Sequence, residues 1–134
     1  MSRTRFQRTL SVVALAITGC AKTETREADT AATQQYDFRA VGQEPGWHLE
    51  LYTGKEMRLT YAYGERTAVT PMPAPTTDAA SGSQTFHAVT GANDLLVVIE
   101  RKPCLDAMSG NPFPATVTVT INGETLRGCG GARE

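Results

Sequence analysis

The stretch CLDAMSGNPFPATVTVTINGETLRGCGG, residues 104–131, carries the strongest fold signals of the chain. Valine and isoleucine alternate with threonine through its middle segment, TVTVTI, which is the two-residue period of a half-buried β-strand. Asn122 and Gly123 follow at once and favour a type I′ hairpin turn, because both turn positions need a positive φ. Such a turn places Val119 opposite Leu126 on one buried face. Strand period and turn chemistry therefore predict the same hairpin.

Two cysteines bound this stretch. The predicted hairpin returns Cys129 to the start of its first strand, and a loop rich in Gly, Pro and Asn separates that start from Cys104. A disulfide between them would close a loop of about 25 residues and remove roughly 3 kcal/mol of unfolded-state freedom by the chain-entropy model. The alternative is a pair of reduced or metal-binding thiols, but no CxxC spacing or neighbouring histidine supports a metal site. We therefore predict the disulfide.

The first 20 residues, MSRTRFQRTLSVVALAITGC, have the features of a secretory signal. Three arginines without an acidic residue precede an apolar segment that is too short to span a bilayer. The ending Ile-Thr-Gly-Cys resembles the lipobox of bacterial lipoproteins, whose cysteine takes diacylglycerol and, after cleavage, a palmitate-type acyl chain. This resemblance implies a signal peptide over residues 1–19 and a membrane anchor on Cys20. The alternative is an ordinary signal or membrane segment with a chance cysteine.

A lipid on Cys20 also explains the cysteine count and indicates a location. The other two of the three cysteines then form an even pair, as the oxidising cell envelope favours. Ala21 follows in place of aspartate, which by analogy with enterobacterial sorting predicts the outer membrane, facing the periplasm. Residues 1–19 hold three of the 13 basic residues and none of the 14 acidic ones, so the mature net charge is near −4. We therefore expect no nucleic-acid partner.

The rest of the chain divides into a tether and one domain. Residues 20–35 lack periodic apolar positions and are expected to form a flexible lipidated tether. Residues 36–134 show about seven or eight short alternating segments with turns roughly every 8–12 residues, and no helical period competes. Because this length supports a single core, we predict one all-β domain, a small antiparallel barrel or sandwich.

Particular segments predict which side chains face inward. WHLELY, residues 47–52, turns Trp47 and its alternate neighbours toward the core. EMRLTYAY, residues 56–63, places four side chains on one inward face: Met57, Leu59, Tyr61 and Tyr63. LLVVIE, residues 95–100, is apolar on both faces, which is typical of the central and most buried strand of a sheet.

Two motifs are candidates for function, GQEPGW at residues 42–47 and the loop that begins at Cys104. Together with the final GETLRGC they resemble a family of small, largely uncharacterised bacterial envelope lipoproteins with the pattern GxEPxW, CxDxMSxxxxP and GxxLxGC. The resemblance covers residues 36–131, essentially the whole mature domain. It implies an envelope location and a small β-domain, similar in fold to META-type and lysozyme-inhibitor lipoproteins. It implies no enzyme activity.

The candidate site residues of the first motif are Glu44 and Trp47. In the structural interpretation Trp47 plugs one end of the barrel, and Glu44 caps backbone amides or pairs with a base. In the functional interpretation Trp47 is the apolar wall of a ligand or partner site, and Glu44 supplies a charge-assisted acceptor. The structural interpretation is favoured from the sequence.

The second motif adds Asp106, Met108 and Ser109 to the candidate site. Asp106 is expected to accept Asx-type hydrogen bonds from loop amides, and Ser109 to make similar, weaker bonds. A nucleophilic serine would need a neighbouring base, yet His48 and His87 fall on strand faces opposite the apolar ones and are expected at the surface. These residues predict no metal site and no cofactor.

The sequence thus predicts a non-enzymatic, monomeric, lipid-anchored protein. Its expected function is that of a binding or inhibitor-like module for a periplasmic protein or a small ligand. The alternative is a structural envelope component whose motifs serve folding only. A third hypothesis, an enzyme with Glu44 and Asp106 as a carboxylate pair, requires both carboxyls to converge in one cleft.

Overall fold

A computed structural model describes residues 35–134 of the chain. These residues belong to one compact unit, Thr33–Glu134. They form eleven β-strands and no helix, so the described part of the chain holds no helix that could cross a bilayer. The predictions for the signal peptide, for Cys20 and for the tether up to residue 34 lie outside the described residues.

Eight strands of six to nine residues make up most of the domain. They are β1 (Phe38–Gln43), β2 (Gly46–Tyr52), β3 (Glu56–Tyr61), β4 (Arg66–Pro71), β6 (Gln84–Val89), β7 (Asp94–Glu100), β10 (Ala115–Ile121) and β11 (Glu124–Ala132). Three strands have only two residues each: β5 (Thr76–Thr77), β8 (Cys104–Leu105) and β9 (Pro112–Phe113). The main sheet has nine strands in the order β4-β3-β2-β1-β11-β10-β7-β6-β5, and β8 pairs with β9 separately.

The sheet has the connectivity of an up-and-down barrel. Every pair of strands is antiparallel, and most strands that follow each other along the chain lie side by side. The exceptions are β4 with β5, β7 with β8 and β9 with β10, and β7 pairs instead with β10. The first strand, β1, pairs with the last, β11, and so joins the two halves of the chain. Because β4 does not pair with β5 or β6, the sheet is a curled half-barrel. The predicted all-β, antiparallel domain is confirmed.

The hydrophobic core lies on one face of this curled sheet. Alternate residues of each long strand are buried there, as the two-residue period requires. The largest fully buried apolar side chains are Leu49, Met57, Leu59, Leu95, Val97, Val117, Val119, Ile121 and Leu126. Each contributes about 1.5–3 kcal/mol relative to an exposed position, so the core is the main stabilising term.

The predicted hairpin and disulfide are both present. Val119 lies opposite Leu126, in the register expected from the turn. Asn122 and Gly123 have φ values of 49° and 87°, the positive values that a type I′ turn needs. The disulfide Cys104–Cys129 has a Cα–Cα distance of 5.4 Å. The local turn chemistry and the cysteine count were sufficient for these two predictions.

The prediction that residues 95–100 form the central strand was wrong. Their strand, β7, is third from one edge of the sheet, and the central position belongs to β11. Leu96 and Val98 face outward and are only half-buried, while the alternate residues fill the core. The reason is the pairing of β1 with β11, a contact between chain ends that no local pattern records.

Candidate functional site

The segment between β7 and β10, residues 101–114, is called here the Cys104 loop. It contains β8 and β9 and lies against the outer side of β10 and β11. The disulfide from Cys104 to Cys129 fastens it to β11, and the Thr116 hydroxyl on β10 donates a 3.2 Å hydrogen bond to the carbonyl of Lys102. The loop is therefore anchored to the sheet at several points.

Asp106 organises the turn of this loop. Its Oδ2 accepts hydrogen bonds from the amide and the hydroxyl of Ser109, at 2.8 and 2.6 Å, and its Oδ1 accepts one from Nε2 of Gln43 at 2.9 Å. The Asp106 amide donates to the carbonyl of Asn111, and the Gly110 amide donates to the carbonyl of Asp106. The expected Asx-type role is confirmed.

These hydrogen bonds also fix the charge of Asp106. The Ser109 hydroxyl, then the Gln43 side-chain amide and the Ser109 backbone amide, lower the pKa of Asp106 from 3.8 to about 2. A carboxylate that accepts several hydrogen bonds is held in its ionised form. At neutral pH it therefore cannot donate a proton, and its oxygens are already engaged.

Gln43 is the residue that joins the two sequence motifs. It belongs to the first motif, GQEPGW, and its bond to Asp106 spans 63 positions in the chain. Sequence reasoning did not single it out, because only its outward position on β1 hints at a contact. The disulfide joins the second motif to the third. All three motifs therefore meet on the outer surface where β1, β11 and the Cys104 loop adjoin.

The Cys104 loop exposes two large apolar side chains. Leu105 is 71% exposed and Met108 is 76% exposed. Leu105 borders a groove of about 240 Å³ between the loop and the outer faces of β10 and β11. Arg127 lines the same groove, and its side chain makes no hydrogen bond or ion pair with any residue of the described range. Exposed apolar side chains and a guanidinium without a partner among residues 35–134 thus lie on the same side of the sheet.

Trp47 is a core residue. Its side chain is 5% exposed, and its ring lies over two glycines. A Cβ on Gly42 would overlap the indole nitrogen, and one on Gly128 would lie 2.8 Å from Cζ2. This geometry matches the structural interpretation of Trp47. Glu44 lies beside it in the exposed β1–β2 turn, where its side chain makes no hydrogen bond with another described residue.

A second hollow, of about 390 Å³, lies on the outer side of β1, β2 and β3. Its lining includes Arg39, His48, Thr60, Tyr63 and Trp47. The prediction that Tyr63 faces inward was wrong: its ring is 73% exposed. The strand ends at residue 61, and the chain turns before Tyr63 could continue the alternation.

A third hollow, of about 460 Å³, adjoins the second through Arg39 and Val41. The guanidinium carbons of Arg39 and Arg133 lie 5.9 and 5.7 Å from the ring centre of Tyr36. Such cation–π contacts contribute about 0.5–1 kcal/mol at exposed sites. They hold Arg39 in place at the border of both hollows.

The histidines lie on outer strand faces, as predicted. His87 is exposed, and its Nε2 lies 2.8 Å from Oδ1 of Asp94. His48 is half-buried on the outer face of β2. Within residues 35–134, no three His, Cys, Asp or Glu side chains gather as a metal site would require. Neither histidine side chain makes a hydrogen bond with Ser109.

Comparison with protein-family models, with curated proteins and with solved structures found no match to the chain. The resemblance to small envelope lipoproteins thus stays a prediction from three sequence motifs. The described geometry adds that the motifs contact one another, through Gln43 with Asp106 and through the disulfide. They form one surface rather than three separate sites.

Proposed function

We propose that the chain is a lipid-anchored, non-enzymatic binding module of the bacterial cell envelope, and that its Cys104 loop docks onto a periplasmic protein. Support for the location comes from the signal-like residues 1–19, the lipobox-like sequence before Cys20 and the paired cysteines. Ala21 favours the outer membrane. Tethering by lipid leaves the folded unit free to meet a partner in the periplasm.

One observation carries the binding proposal, the exposure of Leu105 and Met108 on an anchored loop. Folding alone gives no reason to hold two large apolar side chains in water. Exposed apolar clusters mark interaction sites, and Met is enriched at protein interfaces. The disulfide and the hydrogen bonds of Asp106 hold the loop before any partner arrives, which reduces the entropy cost of binding.

The groove beside the loop defines the chemistry of the partner. Arg127 lines it without a carboxylate partner in the described part of the chain, although this protein is acidic overall. A guanidinium at the border of an apolar contact favours a planar carboxylate. The fitting partner therefore has an apolar pocket for Met108 and Leu105 and an acidic side chain near it.

The hydrogen bonds of Asp106 disfavour a role for this carboxyl as a catalytic acid. A catalytic acid must carry a proton near neutral pH. The hydrogen bonds of Ser109 and Gln43 keep the pKa of Asp106 near 2, and both of its oxygens accept hydrogen bonds within the loop. Asp106 therefore serves as a positioning residue in the proposed function.

The test is capture from envelope extract with the immobilised unit 33–134, followed by direct measurement of affinity for the captured protein. Replacing both Leu105 and Met108 by serine should weaken binding more than about tenfold, because buried apolar anchors dominate interface energies. Val89→Ser is the matched control, since Val89 is 68% exposed on β6. Equal binding by all variants would contradict the proposal. No partner for any of them would favour the structural alternative.

A further inference from the structure

We infer that the hollow beside Tyr63 binds a pyranose ring that carries a carboxylate. This hollow adjoins the groove of the Cys104 loop at Gly42 and Gln43, but no residue of that loop lines it. The inference does not depend on the proposed protein partner. The hollow measures about 390 Å³ and lies on the outer side of β1, β2 and β3. Its size falls in the usual range of small-ligand sites, about 300–1,000 Å³.

Tyr63 is held in an unfavourable backbone conformation at this hollow. Its φ is 57°, and the preceding Ala62 has a φ of 52°. Bulky side chains rarely adopt this left-handed region, and such outliers concentrate at functional sites. The amide of Tyr63 donates a 2.9 Å hydrogen bond to the carbonyl of Gly46, which fixes the turn to β2.

The exposed ring of Tyr63 has little part in folding. It is 73% exposed, so it buries little apolar surface. Its ring edge packs beside Gly46, where an added Cβ would lie 3.2 Å from Cδ1. An aromatic ring that is open to solvent offers a flat apolar surface, and the apolar C–H face of a sugar ring is a suitable match.

Polar groups surround this aromatic surface. His48 and Thr60 lie opposite each other on neighbouring strands, and both line the hollow. Neither side chain hydrogen-bonds another residue of the described range. Pockets that combine an apolar wall with a few free polar groups fix the orientation of a ligand. The hydroxyl groups of a sugar can both donate to and accept from these side chains.

Arg39 specifies the charge of the ligand. It lines the far side of the hollow, and Tyr36 stacks on it at 5.9 Å, so its guanidinium is held in place. It has no carboxylate partner among the described residues. One guanidinium suits a single carboxylate. The acidic net charge of the chain disfavours polyanions such as nucleic acids.

The test is a two-dimensional NMR titration of the unit 33–134 with glucuronic acid, glucose, acetate and adenosine monophosphate. Trp47 is the single tryptophan of the chain and is one of the residues that line the hollow, so its backbone amide resonance reports on this site. Glucuronic acid should give saturable shifts of that resonance and of the Gly46 and Gly64 amides. Glucose should bind about tenfold more weakly, because it lacks the carboxylate.

Variants separate this binding from effects on folding. Tyr63→Asn should keep the fold, because Asn tolerates a positive φ, and should weaken binding of glucuronic acid about tenfold. Arg39→Gln should abolish the preference over glucose, whereas Arg101→Gln, which removes a charge elsewhere, should change nothing. The serine variants of Leu105 and Met108 should still bind. Unchanged binding by Tyr63→Asn, no saturable shift with glucuronic acid, or equal binding of adenosine monophosphate would overturn the inference.

Discussion

At the scale of single residues, Asp106 is the group whose charge matters most to the Cys104 loop. Its folded pKa, about 2, lies below the ordinary value of 3.8 because Ser109 and Gln43 donate hydrogen bonds to the carboxylate. The folded state therefore takes up this proton less readily than the unfolded chain does. The stabilisation is complete above the unfolded pKa and is lost as the pH falls through about 2.

Asp106→Asn tests this account. The amide cannot accept hydrogen bonds at both of its terminal atoms, so the melting temperature at pH 7 should fall by several degrees. The difference from the unmodified protein should shrink between pH 4 and pH 2, because the unmodified carboxylate then takes up its proton. Melting curves at a series of pH values measure both effects. A difference that is the same at every pH would show that the carboxylate charge is not what holds the loop.

A substitution at Gly42 tests the close packing around Trp47. A Cβ at this position would overlap the indole nitrogen, so Gly42→Ala should lower the free energy of unfolding by about 1–3 kcal/mol, as overpacked cores do. Gly91→Ala is the control, because an added Cβ there has no heavy atom within 4 Å. Urea denaturation gives both values. Equal stabilities for the two variants would place the Trp47 ring elsewhere.

At the scale of elements, the β10–β11 hairpin and the Cys104 loop act as one unit through the disulfide. Replacing Cys104 and Cys129 by serine opens a loop with a sequence separation of 25. The chain-entropy model predicts a loss of roughly 3 kcal/mol in the free energy of unfolding. The partner affinity should also fall, because the loop that carries Met108 loses its anchor. Urea denaturation with and without reductant checks the prediction, and identical curves would contradict it.

Elements that depend on neighbouring residues were predictable from the sequence. The alternation of TVTVTI and the Asn-Gly turn fixed the register of Val119 with Leu126, because both signals act over a few residues. The end of β3 was not predictable in the same way. The period continued to Tyr63, but the turn at Ala62 interrupted it. The same turn creates the Tyr63 hollow, so an error in a strand boundary concealed a candidate site.

At the scale of the whole domain, contacts between distant segments determine the strand order and the contact between the sequence motifs, and neither was predicted from the sequence. The pairing of β1 with β11 brings the two ends of the domain together and makes β11 the central strand. The bond from Gln43 to Asp106 brings the first two motifs onto one surface. Neither contact leaves a local period or turn signal, and a single sequence contains no other record of them. The disulfide was the exception. With Cys20 assigned to the lipid, two cysteines remained, and their pairing predicted a contact between distant segments.

The central claim is that the Cys104 loop is a docking surface. Its most direct test places a photo-crosslinking amino acid at Met108, or at Val89 as a control, in the full chain expressed in a bacterial envelope. Both positions are highly exposed, at 76% and 68%. Met108 lies on the Cys104 loop, whereas Val89 lies on β6. We predict one discrete crosslinked protein at Met108 and none at Val89. No crosslink at Met108, or the same products at both positions, would contradict the claim.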